Sequence, residues 1–239
     1  MHRQLNNKQI KNLKTILKFR YITANNLAQY RGITYNSAYS TLEILHTNGY
    51  LGKIHNKSYR LMNKSARYYL SLQALAYLRK ETKVQIDDAI WNSRKSDGKK
   101  STDFIDQQVA IHAAYNELKA RYGDEITIMT GLEQHGTEGI IKPLPGLLVE
   151  PKSAKHCFVE LTDGQHLFIV KKRIRKYIEN FEAEEWEWEE YPDVYIVRSS
   201  TSDRARLRKY VEQQLDDGNL YEDDFSFHIV SQVGQTKHV

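Results

Sequence analysis

Tyr21-Ile22-Thr23-Ala24-Asn25-Asn26-Leu27-Ala28-Gln29-Tyr30-Arg31-Gly32-Ile33-Thr34-Tyr35-Asn36-Ser37-Ala38 is the stretch that decides the fold. Thr23 and Thr34 each precede a run of helical character, where a hydroxyl accepts from the N–H groups that a helix start leaves unpaired. Between the runs, Arg31-Gly32-Ile33 reads as a tight turn. The pattern predicts a short helix over Ala24–Tyr30 and another over Tyr35–Thr47, a helix-turn-helix arrangement. On the later helix Tyr35, Ala38, Thr41, Leu42 and Leu45 share one face at 100° per residue. Asn36, Ser40, Glu43 and Thr47 then lie opposite, flanked by Tyr39.

Upstream, Ile10, Leu13, Ile16 and Leu17 recur at helical spacing between Asn7 and Phe19 and predict an amphipathic first helix. Downstream, Gly49 ends the third helix. Tyr50-Leu51-Gly52-Lys53-Ile54 and Tyr59-Arg60-Leu61-Met62 read as two strands around His55-Asn56-Lys57-Ser58, a hairpin wing. Leu72–Lys80, after Ser71 as N-cap, closes the domain. Helix, helix, helix, hairpin, helix is the order of a winged helix-turn-helix, expected over residues 1–81.

Charge divides the chain in the same place. Residues 1–80 hold fourteen Lys and Arg against one acid, Glu43, a net of +13, and the remainder is net −8. A folded segment this basic is expected to bind a polyanion, because Lys and Arg that neutralise phosphates release condensed counterions; the plainer reading is a solvated basic face. The polar stretch Asn92-Ser93-Arg94-Lys95-Ser96-Asp97-Gly98-Lys99-Lys100-Ser101 lies within residues 82–102, which read as a linker. Beyond it, residues 103–239 predict a helix over Phe104–Tyr122 and strands at Ile126–Thr130, Leu147–Glu150 and His156–Leu161. A helix over Gln165–Phe181, a strand at Asp193–Ser199, a helix over Ser202–Leu215 and a strand at Phe227–Ser231 follow. The expected fold class is therefore α/β overall, with a mixed α/β second domain of order αβββαβ plus an added αβ.

Several kinds of chemistry have no support. A single cysteine, Cys157, excludes an internal disulfide and a multi-cysteine zinc site. Cys157 and His156 are neighbours on a strand, so they point to opposite faces and do not share a metal. No Walker loop, dinucleotide fingerprint or nucleophile triad is present, and the histidines show no ligand spacing. No cofactor and no metal are expected. The first twenty residues lack the apolar run of about 7 to 15 residues that a signal peptide needs, so a cytoplasmic location without membrane contact is expected.

Three segments carry a family resemblance: Tyr21–Ala28, Leu42-Glu43-Ile44-Leu45-His46-Thr47-Asn48-Gly49-Tyr50-Leu51, and Tyr69-Leu70-Ser71-Leu72-Gln73-Ala74-Leu75-Ala76-Tyr77-Leu78. Together they resemble the replication-relaxation family of plasmids and other mobile elements. The resemblance implies a winged-helix head followed by a second domain like the restriction-endonuclease fold, usually degenerate. In that fold's active form an Asp after Pro and a Glu-x-Lys hold Mg²⁺ and activate water. Here the corresponding places are Pro145-Gly146 and Glu160-Leu161-Thr162, so Gly146 and Thr162 replace the Asp and the Lys. Glu150 or Asp163, with Lys171 or Lys172, are the groups from which such a site would be rebuilt. Without them, Glu160 is expected to act structurally, paired with a basic residue of the next helix.

The expected function is double-stranded-DNA binding by an accessory or regulatory protein of a mobile element, not catalysis. Arg31, Thr34, Asn36, Ser37, Tyr39 and Ser40 are the candidate contacts of the recognition helix, whose first residues enter the major groove. Asn36 suits a bidentate contact with adenine. Lys53, Lys57 and Arg60 on the wing are candidate phosphate contacts. Glu43 would repel phosphate or accept from cytosine N4. A relaxase or replication protein and a second copy of the chain are the expected protein partners. Two alternatives stay open: a Mg²⁺-dependent nuclease with displaced groups, and a plain winged-helix repressor. Lys171, Lys172, Arg173, Arg175 and Lys176 read as a solvated helix face or a second DNA contact. Trp186 and Trp188 read as an acidic loop with one buried ring or a partner-binding edge.

Overall fold

The computed structural model describes residues 5–81, 86–218, 220 and 226–235. The chain is mixed α/β and forms two compact units, Met1–Asn116 and Glu117–Val239. Among the described residues, no helix is long and apolar enough to cross a membrane.

In the first unit, α1 (Asn7–Phe19) starts with a capping box: Gln9 N–H donates to Asn6 Oδ1 at 2.9 Å, and Asn6 N–H donates to Gln9 Oε1 at 3.0 Å. Its Leu13, Ile16, Leu17 and Phe19 are buried. Thr23 caps α2 (Ala24–Arg31) by accepting from Asn26 N–H at 3.1 Å, and Thr34 caps α3 (Tyr35–Thr47) by accepting from Ser37 N–H at 3.3 Å. Each such cap stabilises its helix by about 1 kcal/mol. Gly32 ends α2 at φ +62°, a left-handed conformation that a side chain adopts only with strain. The turn and both helix starts therefore stand where the sequence predicts them.

The segment expected to form a hairpin wing takes a different form. Asn56 accepts from Tyr59 N–H at 3.0 Å and starts a one-turn helix, α4 (Lys57–Leu61), where a second strand was expected. Leu61 is 78 % exposed, so the supposed strand has no buried alternation. The partner of β1 (Leu51–Ile54) is instead β2 (Arg67–Leu70), antiparallel from Leu51 opposite Leu70 to Ile54 opposite Arg67. Ile22 adds a bridge to Tyr68, with N–H donated both ways at 3.0 and 2.9 Å. The ring of Tyr69 lies between two glycines. A Cβ at Gly52 would sit 2.1 Å from the Tyr69 ring, and one at Gly98 would sit 2.5 Å from its hydroxyl.

The expected linker is likewise structured. After α5 (Leu72–Glu81), α6 (Asp88–Arg94) begins at Asp87, which accepts from Ala89 N–H, and buries Trp91. Arg94 Nη2 donates to Leu17 O at 3.3 Å. Buried Asp97 accepts from Arg20 Nε at 2.8 Å and Nη2 at 2.6 Å, while Tyr21 Oη donates to its carbonyl at 2.6 Å. The polar composition that suggested a linker supplies these hydrogen bonds instead. Residues 82–85 of that span lie outside the described residues. The first unit also includes most of α7 (Thr102–Tyr122): Asn26 Nδ2 donates to Val109 O, and Asn116 Nδ2 to Asn26 O, both at 3.0 Å. Its boundary falls after Asn116, far beyond residue 81.

In the second unit, β3 (Ile126–Thr130), β4 (Leu147–Pro151), β5 (Cys157–Leu161), α8 (Leu167–Glu182), β6 (Asp193–Val197), α9 (Thr201–Gly218) and β7 (Phe227–Val230) follow the order that the sequence predicts. They build one sheet of order β3-β4-β5-β6-β7, antiparallel through β5 and parallel from β5 to β7. Alternation along the strands sends Leu148, Phe158, Val194 and Ile196 to the face packed by Val170, Ile174 and Tyr177 of α8 and Leu207 and Val211 of α9. Trp186 and Trp188 are both half-buried on this core, Trp186 against Phe181 and Tyr191 and Trp188 against Phe158. That placement replaces the expected acidic loop with a single buried ring.

Candidate nucleic-acid interface

The turn after α2 and the first half of α3 put Arg31, Thr34, Asn36, Ser37, Tyr39 and Ser40 together on the surface, all exposed. Thr34 is partly committed, since its hydroxyl caps α3. Ala38, Leu42 and Leu45 form the inward stripe. Tyr35, expected on that stripe, is instead 50 % exposed and stacks on Tyr39 with ring centroids 6.2 Å apart and planes 8° from parallel. As the first residue of α3 it stands at the edge of the apolar stripe, where helical periodicity discriminates poorly.

Beside this face, β1, β2, α4 and the loop after α4 border a cleft of 330 Å³. Tyr35 and Tyr39 line it from α3, Lys53 and His55 from β1 and its end, and Arg60 and Lys64 from α4 and the following loop. The strands β1 and β2 thus carry Lys53 and Tyr68 to the cleft beside the exposed face of α3. Asn63 and Ser65, which also line the cleft, escaped the sequence reading, because the strand expected over Tyr59–Met62 displaced the true loop.

The cations around this cleft are not equivalent. Lys53 Nζ donates to Glu43 Oε1 at 2.7 Å, and Tyr68 Oη–H donates to the same oxygen. Burial raises the Glu43 carboxyl, but the hydrogen bonds from Lys53 and Tyr68 outweigh it and hold the group below the ordinary range. Lys64 and Arg67 pair with Asp106 at 2.5 and 2.9 Å. Among the described residues Arg31, Lys57 and Arg60 are exposed and make no ion pair. Their charges remain available to an external anion, whereas that of Lys53 is compensated in place.

In the second unit, β4 and β5 pair Leu147 with Val159, and the same register continued by one residue sets Gly146 opposite Glu160. Glu160 is 7 % exposed and accepts from Arg173 Nε at 2.7 Å and Tyr177 Oη at 2.6 Å. The basic partner expected on the following helix is therefore Arg173, which leaves the supposed solvated face of α8 and turns inward. Burial lowers the Arg173 guanidinium, and Tyr177 and Glu160 more than offset that, raising it. Thr162 Oγ1 donates to Val197 O at 2.9 Å. Asp163 accepts from Ser199 N–H and Oγ at 2.9 Å, and Lys171 Nζ lies 4.6 Å over the Tyr210 ring. Asp163 and Lys171 thus have separate local roles. Among the described residues no three His, Cys, Asp or Glu side chains converge as a metal site would require, and the donor set around Glu160 is an ion pair in a sheet, not a Mg²⁺ cage.

The chain matches no family model, no curated protein and no solved structure.

Proposed function

We propose that the first unit is a winged helix-turn-helix that docks on double-stranded DNA, with α3 in the major groove and α4 against the phosphate backbone. The observation that carries this reading is the coincidence of an exposed polar face on α3 with the uncompensated charges of Arg31, Lys57 and Arg60 beside it. The unit as a whole supports it: residues 1–116 hold nineteen Lys and Arg against seven acids. A duplex is attracted to such a surface and releases counterions on binding there. Within the interface Asn36 and Ser40 are assigned to base edges, and Lys57 and Arg60 to phosphates.

The biological setting proposed is replication, relaxation or conjugative transfer of a mobile element, in the cytoplasm, with a relaxase, a replication protein or a second copy as partner. The sequence resemblance supports this part. The second unit is proposed as a degenerate nuclease-like domain without catalysis, supported by Gly146 and by the commitment of Glu160 to Arg173 and Tyr177. Electrophoretic mobility shifts with random duplex pools, followed by sequencing of retained DNA, test the binding and reveal the site. Incubation of supercoiled DNA with Mg²⁺ or Mn²⁺ tests the second unit, and intact DNA is expected.

A further inference from the structure

A second cleft, of 630 Å³, lies wholly in the second unit at the edge formed by β6, β7 and the start of α9. Arg204 and Arg208 of α9 and Arg121 at the end of α7 line it, with His228 of β7 and Tyr195 of β6. Backbone carbonyls hold all three guanidinium groups in place. Arg208 Nη2 donates to Ile229 O at 2.8 Å, Arg204 Nη1 to Arg198 O at 2.9 Å, and Arg121 Nη1 to Gly234 O. None of the three has a carboxylate partner among the described residues. Carbonyl oxygens orient a guanidinium without cancelling its charge, so among the described residues the cleft is lined by three held cations with no carboxylate paired to them.

An independent observation points into the same space. Tyr195 is 3 % exposed, lines the cleft, and its hydroxyl has no hydrogen-bond partner. A buried hydroxyl left unpaired carries a desolvation cost that a bound acceptor would remove. The same tyrosine ring stacks on His228 at 4.5 Å, and His228 Nε2 is turned to Asp193 at 3.3 Å, so the histidine does not supply the missing partner.

We infer that this cleft binds a phosphate-bearing small molecule of nucleotide size, with Arg121, Arg204 and Arg208 on the phosphate oxygens and the Tyr195 hydroxyl donating from the floor. Phosphate fits better than a lone carboxylate because three guanidinium groups line one cleft and each is suited to forked contact with its oxygens. A small ligand fits better than a duplex backbone because the unpaired hydroxyl belongs to a buried residue that lines a concavity of ordinary ligand size. The inference concerns a surface separate from α3 and the wing, and it stands or falls apart from DNA binding.

Calorimetric titration of the full chain with pyrophosphate, and then with ADP, tests it. Saturable one-to-one binding is expected. The paired substitution Arg204→Gln, Arg208→Gln should weaken it by about tenfold or more, since each lost charge-assisted bond is worth at least a factor of ten. Tyr195→Phe, which removes an unbonded hydroxyl and leaves the fold intact, should weaken it by a factor of about three or more. Absence of saturable binding overturns the proposal, as does unchanged affinity in Tyr195→Phe even if the arginine variant fails to fold. Loss of pyrophosphate binding on Lys57→Ala, Arg60→Ala, or displacement of the probe by a short duplex from that same head variant, also overturns it.

Discussion

Lys53 and Glu43 are joined across the wing and α3, Nζ to Oε1 at 2.7 Å, with Tyr68 hydrogen-bonded to the same carboxylate oxygen. The one acid among the first eighty residues thus neutralises Lys53 and ties β1 to α3. Glu43→Gln should free that lysine, tighten DNA binding and steepen its salt dependence by about 0.9 in log–log slope, one additional phosphate contact. Lys53→Ala should change the slope little. Fluorescence anisotropy at several salt concentrations distinguishes the two, and a large loss of slope in Lys53→Ala would mean that the ion pair opens on DNA.

His112 is fully buried against Phe19, ring centroids 3.7 Å apart, and neither ring nitrogen has a hydrogen-bond partner. Burial chiefly, and Lys18 secondarily, push its pKa down from 6.5 to about 3. The folded chain therefore stays unprotonated at this ring while the unfolded chain takes up a proton. This contribution to stability is fully present above pH 6.5 and is lost as pH falls from there towards about 3, at up to roughly 1.4 kcal/mol per pH unit. His112→Phe keeps the stack and removes the titration. Its melting temperature should fall less than that of the wild type between pH 7 and about pH 4.5; parallel curves would show that His112 does not titrate in this way.

Glu160 is the buried counter-ion of Arg173. Removing it leaves a part-buried guanidinium beside the core without its carboxylate, which costs roughly 3–5 kcal/mol in comparable buried pairs. Glu160→Ala should accordingly lower the unfolding free energy by several kcal/mol in urea titration. A substitution at a dispensable surface acid would cost almost nothing, and a measured loss below about 0.5 kcal/mol would remove the structural role assigned to Glu160.

Truncation after Glu81 should abolish folding of the head rather than isolate it. Trp91, Asp97 and Ile105 are buried in the first unit, and Arg20 and Tyr21 lose their partners without Asp97. Circular dichroism should show a largely unfolded fragment for residues 1–81 and cooperative melting for residues 1–122, which retain the whole of α7. A cooperatively folded shorter fragment would contradict this packing.

The helices were legible because their signals are local. Thr23, Thr34 and Gly32 sit at fixed offsets from apolar stripes, and the backbone bonds they provide are short-range. In the second unit the strand alternation of Leu148, Phe158 and Val194 was equally readable, and so was the order of elements. The wing was not, because Asn56 starts α4 by one side-chain bond while Tyr59-Arg60-Leu61-Met62 has strand-like composition. The linker reading failed for a related reason: Asp97 and Arg94 are polar residues whose partners, Arg20 and Leu17, lie more than seventy residues away. On α3 and α4, the exposure of Asn36, Ser40, Lys57 and Arg60 was legible from the sequence alone. The withdrawal of Lys53 by Glu43 and the outward turn of Tyr35 required the fold.

The central claim is that Lys57 and Arg60, unlike Lys53, meet DNA phosphates while α3 reads the duplex. Measuring the full chain's affinity for one duplex across a salt series, beside Lys57→Ala, Arg60→Ala, tests it most directly. The wild type should show a steep negative log–log slope, and the variant a slope shallower by about 2, with affinity lowered on every sequence alike. A wild-type affinity that is flat in salt, or a variant slope identical to the wild type, would contradict the account.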